Sequence, residues 1–499
     1  MKLRPTIAFT FLLCSSVTAS ELIDIGSRLE PMIDNHLIAT MSNGLHFQLH
    51  KPVRRNVALV TDAPWEGNAC PYNSVFQDND RYRMYYGSNQ YVTAEGELTY
   101  PHKPYTCYAE SQDGIHWTKP NLGLVEFNGS KQNNIVLDAK SIKGISVDPS
   151  DIAVFKDSNP QCDPAARYKA VIRSTDEPGL VALKSPDGFL FSPLSNELIL
   201  TDGAFDSQNL AFWDSVRGEY RSYFRDFRDG IRGIKTATSH DFLKWSEPKW
   251  LVFPQVSNEH LYTNQVTPYD RAPHIFIGFP MRYTDRGWVR STDQLPHPEL
   301  RRQRASAKGR YGSAVTDCLM MTSRDGVSFK RWEEAILRPG PSRTNSWVYG
   351  DNIISWGILR TESDLPQSPT ELSIYATEGY WTDTSQNFRR YSIRVDGFVS
   401  IQATLSGGEF VTKPLLFEGD RLVINYSTSA AGGIWVEIQD PSGQPLRGYA
   451  KADCHEIFGD EIQREVAWKR FDNVRSLASN PVRLRFILKD ADLFSFRFR

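Results

Sequence analysis

The stretch Ser111-Gln-Asp113-Gly-Ile-His-Trp117 decides the fold, because variants of it return three more times along the chain. The further copies are Ser185-Pro-Asp187-Gly-Phe-Leu-Phe191, Ser239-His-Asp241-Phe-Leu-Lys-Trp245 and Ser323-Arg-Asp325-Gly-Val-Ser-Phe329. Serine and aspartate side chains accept hydrogen bonds from backbone N–H groups in tight turns, and glycine supplies a positive φ. Each copy therefore predicts a turn whose closing aromatic residue begins the next strand and packs inward. Four copies in order indicate a repeated architecture.

A second repeated element precedes each turn: a β-type run, an acidic turn and an aromatic β-type run, the pattern of a hairpin. The paired runs begin at Ser74 and Tyr82, Ile152 and Tyr168, Leu210 and Tyr220, and Gln265 and Ile275. A hairpin, a third strand, a Ser-x-Asp turn and a fourth strand make one four-stranded propeller blade. Residues 353–359, 372–375 and 389–394 supply a fifth blade. We expect segment 29–38 to complete the ring with a missing strand.

The sequence thus predicts an all-β protein, with a five-bladed β-propeller over residues 21–396 and a C-terminal β-sandwich over residues 397–499. The sandwich is predicted from short runs that alternate apolar and polar residues, such as Ile434-Trp-Val-Glu-Ile438 and Leu493-Phe-Ser-Phe-Arg-Phe-Arg499. Several period-2 strands over about 100 residues are typical of such a sandwich.

Composition and charge narrow the classes of partner. The 499 residues carry 57 Lys+Arg against 59 Asp+Glu, with 40% hydrophobic and 23% charged residues. A net charge of -2 without a basic run argues against nucleic acid and against an anionic membrane surface. The balance is that of a globular protein with enough apolar material for real cores.

Residues 1–20 have the pattern of a signal peptide. Lys2 and Arg4 precede an apolar run that ends near Cys14, and Val17-Thr-Ala19 offers small residues for cleavage. The run is too short for a membrane span, which needs about 20 residues. The sequence therefore predicts a secreted or periplasmic protein without a membrane span.

Cysteines and metal signatures give no sign of a cofactor. The chain after the predicted cleavage point keeps an odd number of cysteines, so at least one thiol stays free and no disulfide framework is expected. Neither CxxC nor HExxH occurs, so the common zinc signatures are missing. No cofactor is expected, although a structural calcium ion stays compatible with the sequence.

The predicted architecture resembles that of the invertase/levanase-type glycoside hydrolases, and the propeller also resembles the arabinanase/xylosidase type. The whole chain after residue 20 is similar to secreted bacterial proteins described as glycosyl-hydrolase-like. The residues that carry this similarity are Asp62-Ala-Pro-Trp-Glu66-Gly, Phe205-Asp206-Ser-Gln-Asn209, Leu261-Tyr-Thr-Asn-Gln265, Ser323-Arg-Asp-Gly326 and Val395-Asp-Gly-Phe-Val-Ser400. The resemblance implies a carbohydrate-active enzyme of polysaccharide degradation, acting on an oligo- or polysaccharide. Asp-Pro-Asn-Gly is missing, and Arg225-Asp226-Phe227 stands where an Arg-Asp-Pro triplet would, so catalytic roles do not transfer by motif.

Four carboxyls are the catalytic candidates, because each precedes a predicted innermost strand and acids from different blades converge at a propeller's mouth. They are Glu66, Asp151, Asp206 and Glu259. Glycoside hydrolysis needs two carboxyls beside the scissile bond, one protonated and one charged. We expect Asp206 and Glu66 to form the main pair, with Asp151 modulating a pKa or orienting substrate, and Glu259 as an alternative proton donor. The structural alternative for each is a turn acid that makes local hydrogen bonds.

The predicted substrate-binding residues lie at the same mouth. Arg173, Arg225 with Asp226, and Arg282 end the second strands of three consecutive blades, and an arginine trio would bind the carboxylate or sulfate of an anionic sugar. Three separate loop salt bridges are the competing interpretation. The predicted stacking and hydroxyl-binding residues are Trp65, Tyr262, Asn264 and Trp347.

Three functions stay open from the sequence. The first is a glycosidase that works by paired carboxyls. The second is a non-catalytic carbohydrate-binding propeller, which is favoured if the acids are scattered over an open mouth. The third is a sialidase-like enzyme, which needs an arginine triad and a tyrosine nucleophile.

Overall fold

The computed structural model describes residues 22–254, 256 and 258–499, so the predicted signal peptide lies outside the described residues. The described chain divides into two compact units. One unit comprises residues 48–400, and the other comprises residues 22–47 together with 401–499.

Residues 48–400 contain five antiparallel sheets of four strands each, which we call blades I to V. Blade I is Asn73–Asp78, Arg81–Ser88, Tyr105–Ser111 and Ile135–Leu137; blade II is Ala153–Lys156, Tyr168–Arg173, Leu180–Ser185 and Ser192–Pro193. Blade III is Leu210–Asp214, Glu219–Arg228, Ile231–Ser239 and Lys249–Trp250; blade IV is Thr267–Tyr269, Ala272–Gly278, Met321–Ser323 and Lys330–Arg331. Blade V is Leu359–Thr361, Glu371–Glu378, Asn387–Arg394 and Val53–Val60.

The blades form a closed ring, which confirms the predicted five-bladed propeller. The first strands of blades I, II and III contact one another in order, and the Trp356 segment of blade V pairs in parallel with Ser74 of blade I. The indole of Trp356 donates to the carbonyl of Val266 in blade IV at 2.9 Å. At the centre, Nε2 of buried Gln265 donates to Oε1 of buried Gln208 at 2.8 Å. A hydrogen bond between buried amides thus links the entries to the first strands of blades III and IV.

The strand that completes the ring is Val53–Val60, which pairs with Asn387–Arg394 of blade V. The expectation that residues 29–38 would supply it is wrong. Glu30–Pro31 and Ile38–Met41 instead pair with Arg483–Phe498 and Gly408–Thr412 in the other unit. Residues 53–60 mix charged and apolar side chains, and six of the eight are exposed or half-exposed at the rim, so the segment lacks the apolar signal of the inner strands.

The repeated Ser-x-Asp turns have the predicted geometry. In the last copy, Oγ of Ser323 accepts from the N–H groups of Asp325 and Gly326, and Oδ1 of Asp325 accepts from those of Val327 and Ser328. The carbonyl of Gly326 accepts from the hydroxyl of Tyr223, in the preceding blade, at 2.8 Å. Tyr85 and Tyr375 make the same bond to Gly188 and Gly114. The repeat is therefore also the joint between neighbouring blades.

Blade IV extends beyond the ring and carries an insertion. Its extension comprises His260–Leu261, Met281–Asp285 and Ala314–Cys318. Three helices connect the last two strands: α1 (Arg290–Asp293), α2 (Pro298–Ala307) and α3 (Gly309–Ser313). Blade I carries a small hairpin, Val92–Ala94 with Glu97–Thr99, and the side chain of Gln303 on α2 donates to the carbonyl of Thr93 in that hairpin. Short 3-10 turns occur at Pro149–Asp151 and Pro164–Ala166.

The second unit is built on two long antiparallel strands, Leu422–Gln439 and Arg483–Phe498, which form the β-sandwich core with their neighbours. Register shifts near Tyr426 and Gly433 bend this pair. The other strands are Ile23–Gly26, Glu30–Pro31, Ile38–Met41, Leu45–Leu49, Val399–Ala403, Gly408–Thr412, Leu415–Phe417 and Asp460–Glu465, with 3-10 turns at Lys451–Asp453 and Arg475–Leu477. No helix in the described part of the chain is long and apolar enough to cross a membrane.

Candidate active site

A cavity of about 390 Å³ lies at the end of the propeller where the innermost strands begin, and every blade contributes to its lining. Its ionisable residues, tyrosines aside, are Asp148, Asp151, Asp206, Arg173 and Arg310. Its aromatic residues are Tyr72, Tyr91, Tyr100, Tyr262, Tyr311, Tyr349, Tyr380 and Trp381. The site is therefore an aromatic cavity with three carboxyls and two guanidinium groups.

Asp151 ends the short turn Pro149–Asp151 at the entry to blade II and is buried, with 3% of its surface exposed. Its Oδ2 lies 2.9 Å from Nε of Arg173, which ends the second strand of the same blade and also binds the carboxylate of Asp148. Burial raises the pKa of Asp151 well above its ordinary value, and the charges of Asp148 and Asp206 raise it further, whereas Arg173 lowers it. The balance favours a protonated Asp151.

Asp206 enters the cavity in front of blade III and differs sharply from Asp151, because 72% of its side chain is exposed. Its neighbours Phe205 and Ser207 are buried, and Oγ of Ser207 donates to the carbonyl of Tyr262 at 2.9 Å. These anchors fix the backbone that carries the carboxylate. Nη2 of Arg225 lies 3.8 Å from its Oδ2.

Two aromatic residues of the cavity wall have an unfavourable backbone conformation. Tyr72 and Trp381 have φ values of 60° and 58°, in the left-handed region that large side chains rarely adopt. Such residues cluster at functional sites, where the surrounding structure holds them in place. Burial raises the pKa of Tyr72 and of Tyr349, which keeps both phenols protonated and able to donate hydrogen bonds.

The blade IV insertion closes one side of the cavity. Arg310 and Tyr311 of α3 line it, and buried Arg304 of α2 lies 4.7 Å from the ring of Trp381. Nη1 of Arg310 is buried and has no hydrogen-bond partner among the described residues, and the guanidinium forms no ion pair there. Arg310 therefore brings an uncompensated positive charge to the wall.

Glu66 does not reach this cavity, which corrects the predicted pair with Asp206. Its side chain is fully buried beneath blade I, where Oε2 binds Nζ of Lys119 at 2.6 Å and Oε1 accepts from the hydroxyl of Tyr86 at 2.5 Å. Trp65 also turns inward, donating to Oδ1 of Asn134 at 2.7 Å. The Pro-Trp-Glu-Gly turn thus closes the end of the blade.

Glu259 is also placed outside the central cavity, with Arg282 and Trp347. Its two oxygens lie 3.0 Å from Nη1 of Arg282 and 3.0 Å from Nη2 of Arg331. Together with Arg282 and Trp347 it lines a separate cavity, described below.

The remaining predicted residues divide between lining and support. Tyr262 lines the central cavity, and Arg225 stacks 4.9 Å from its ring. Asp226 pairs with Lys235 at 2.6 Å, and buried Asn264 donates to the carbonyl of Tyr223. The predicted arginine trio does not converge, because only Arg173 lines the cavity.

Several lining residues were not predicted. Tyr380 and Trp381 directly follow the second strand of blade V, so the rule that selected Arg173 would have found them. Arg310 and Tyr311 come from an insertion with no counterpart in the repeat and gave no sequence signal.

The described chain has neither a cluster of metal-ligating side chains nor a disulfide. No group of three or more His, Cys, Asp and Glu side chains within it could hold a metal ion. Its five cysteines are all free. That the protein needs no cofactor stays a prediction.

Fold and cavity together define a five-bladed propeller protein with an acidic, aromatic pocket at the entrance of its inner strands. No protein-family model matches the chain, and no curated sequence does. Solved structures similar to it include an endo-arabinase from Bacteroides thetaiotaomicron (11% identity, TM-score 0.40, 70% of this chain and 98% of that one). Another is the catalytic domain of a Coprinopsis cinerea α-L-arabinofuranosidase (10%, 0.39, 70% and 99%). A third is an N-acetylgalactosamine deacetylase from F. plautii (12%, 0.40, 69% and 94%).

Proposed function

We propose that the protein is a glycoside hydrolase in which Asp151 is the general acid and Asp206 the charged carboxylate. The observation that carries this proposal is that two carboxyls from different blades line one cavity in opposite environments. One is buried and the other is 72% exposed. Glycoside hydrolysis requires two carboxyls beside the scissile bond, one protonated and one charged.

The reaction assigns a task to each group. Because Oδ2 of Asp151 is occupied by Arg173, the proton resides on Oδ1 and passes to the glycosidic oxygen as the C–O bond breaks. Asp206 stabilises the positive charge that develops on the sugar ring. Water then adds its hydroxyl to the anomeric carbon, and its remaining proton returns to Asp151, which restores the acid. Arg173 is a positioning residue, since it fixes the carboxyl that donates the proton.

The cavity fits a saccharide in size and lining. A volume of about 390 Å³ lies in the range of about 300–1,000 Å³ typical of small-molecule sites. Tyrosine and tryptophan rings offer apolar faces to sugar C–H groups, and the phenols and Asn89 offer hydrogen bonds to hydroxyls. The α2–α3 insertion closes one side of the cavity, which favours binding of the end of a saccharide chain.

We propose that the sugar bound in this cavity is anionic. The cation that would bind its charged group is Arg310, which is not one of the three arginines predicted from the sequence. Arg173 is neutralised by the carboxylate of Asp148 and also contacts Asp151, whereas Arg310 has no carboxylate partner in the described chain. An unpaired guanidinium in a cavity wall favours a uronate carboxylate or a sulfate ester on the substrate. The protein would meet such a glycan outside the cytoplasm if residues 1–20 are a signal peptide, as their pattern predicts.

A sialidase-like mechanism fits the site less well. It needs three converging arginines and a tyrosine that loses its proton, whereas burial raises the pKa of Tyr72 and Tyr349. A binding-only propeller is also disfavoured, because its acids would be scattered over an open mouth.

The test is hydrolysis of a panel of uronic, sulfated and neutral oligosaccharides, with wild type compared with Asp151→Asn and Asp206→Asn. We expect the wild type to release product from an anionic member of the panel and each variant to lose about 10²–10⁴-fold in rate. Binding without hydrolysis by the wild type would instead establish the binding-only function.

A further inference from the structure

A second cavity, of about 580 Å³, lies on the extension of blade IV and is lined by three predicted residues that the central site does not use: Glu259, Arg282 and Trp347. Side chains alternate between the two faces of a strand. Met281 and Tyr283 pack in the hydrophobic cluster that includes Tyr262. Arg282 and Thr284, which alternate with them along the strand, line the second cavity. The extension is therefore a partition between the two cavities.

The second cavity has positive charge in excess. Arg282 is neutralised, since it binds both oxygens of Asp317 at 2.9 and 2.6 Å and Glu259 at 3.0 Å. Arg286 and Arg338 also line the cavity, are exposed, and have no ion pair or hydrogen bond within the described chain. Two free guanidinium groups thus face a cavity whose two carboxylates are already paired.

An aromatic ring lies beside these guanidinium groups. The indole N–H of Trp347 donates to the carbonyl of Gly340 at 2.8 Å, and the carbonyl of Trp347 accepts from the buried guanidinium of Arg301. Trp347 has a φ of 61°. With its N–H occupied and its backbone anchored in this strained conformation, the ring has only its faces to offer a ligand, which is how aromatic rings contact sugars.

We infer that this cavity is a second saccharide-binding site, in which Arg286 and Arg338 bind anionic groups of a glycan and Trp347 stacks on a sugar ring. The site holds polymer beside the central cavity and performs no chemistry. The anionic group is a carboxylate or a sulfate ester, since both accept paired N–H donors from arginine. The inference does not rest on the proposed hydrolysis, because binding can be measured without turnover.

The experiment is native affinity electrophoresis of the full chain in gels that contain polygalacturonate, dextran sulfate or neutral dextran. We expect at least one polyanion to retard the wild type, and the R286A/R338A double variant to lose about tenfold in affinity for it. The control is R447A/R470A, which removes the same charge from exposed arginines of the other unit that have no ion pair in the described chain. Trp347→Ala should also weaken binding, with circular dichroism as the check on folding.

The outcomes separate this site from the central one. R286A/R338A leaves the lining of the central cavity unchanged, and retardation reports binding rather than turnover, so a failure of the proposed hydrolysis leaves this result intact. Retardation by polygalacturonate alone identifies a carboxylate ligand, and retardation by dextran sulfate alone identifies a sulfate ester. The inference is overturned if neither polyanion retards the wild type, or if both double variants lose affinity equally.

Discussion

Oδ2 of Asp151 lies 2.9 Å from Nε of Arg173, yet burial and two neighbouring carboxylates still raise the pKa of that carboxyl. The hydrogen bond from Arg173 thus orients the acid while the carboxyl keeps its proton. This combination of a fixed orientation and a retained proton is what a general acid needs.

Replacing Arg173 with glutamine should move the alkaline limb of the pH profile upward. Arg173 lowers the pKa of Asp151, so its removal raises that pKa and keeps the acid protonated to higher pH. The measurement is kcat/KM against pH on the substrate identified by the panel. A limb that stays in place or moves downward would show that Asp151 is not the group that titrates.

Asp351, buried beside the aromatic wall at Gly350, should make the fold less stable as pH rises. Burial raises the pKa of Asp351 to about 8, whereas an unfolded aspartate has a pKa of about 3.9. Between these values the folded state holds a proton that the unfolded state has lost, so stability falls by up to about 1.4 kcal/mol per pH unit. Asp351→Asn should remove this slope because an amide does not titrate, and its Oδ1 can still accept from the N–H of Tyr380.

Urea unfolding at several pH values tests this prediction, with Asp325→Asn as the control. Burial opposes ionisation of Asp325, but hydrogen bonds from the N–H groups of Val327 and Ser328 lower its pKa. Its stabilisation is lost only as pH falls through that lowered pKa, so Asp325→Asn should destabilise equally across the neutral range. A wild type and an Asp351→Asn variant with the same slope would refute the assignment.

We expect Glu66 to be a structural residue, so that disrupting its contacts lowers the free energy of unfolding. Lys119→Met leaves a fully buried carboxylate without its cation, and breaking a buried pair in this way costs about 3–5 kcal/mol. The double variant E66Q/K119M should regain part of that loss. Urea unfolding measures both effects. A Glu66→Gln variant that folds but has no hydrolytic activity would contradict this assignment and indicate that Glu66 is catalytic.

Gly326→Ala should weaken the joint between blades III and IV. A Cβ at Gly326 would lie 2.5 Å from Nη1 of Arg221 and 2.8 Å from the hydroxyl of Tyr223. Gly129→Ala is the matched control, because Gly129 has a similar φ, 81° against 78°, and open space around it. Left-handed strain alone costs about 1–2 kcal/mol, so thermal unfolding should show a distinctly larger loss for Gly326→Ala.

The sequence predicted the fold well because its signal is local and repeated. Each Ser-x-Asp turn is stabilised by hydrogen bonds between residues that are close in the chain, so the turn can be recognised from the sequence alone. The third copy, in which Phe242 takes a φ of 68° where the others have glycine, shows that the turn tolerates one substitution. The closing strand 53–60 was missed because a strand at the rim of a blade needs little apolar character.

The candidate site was predicted only in part, since position along a blade does not settle which way a side chain turns. Of the predicted residues, Asp151, Asp206, Arg173 and Tyr262 line the cavity. Glu66 occupies an equivalent sequence position but turns inward, because Lys119, 53 residues further along, offers a buried partner. Arg310 comes from an insertion that no repeat could reveal.

The central claim is that Asp151 donates a proton and Asp206 stabilises the charge on the sugar. The most direct test compares both asparagine variants, with Glu259→Gln as control, on two glycosides of the identified sugar that differ in leaving group. An activated phenol needs little protonation, so Asp151→Asn should lose activity mainly on the alkyl glycoside, Asp206→Asn should lose it on both, and Glu259→Gln on neither. Equal losses of Asp151→Asn on the two glycosides, or this leaving-group signature in Glu259→Gln, would contradict the assignment.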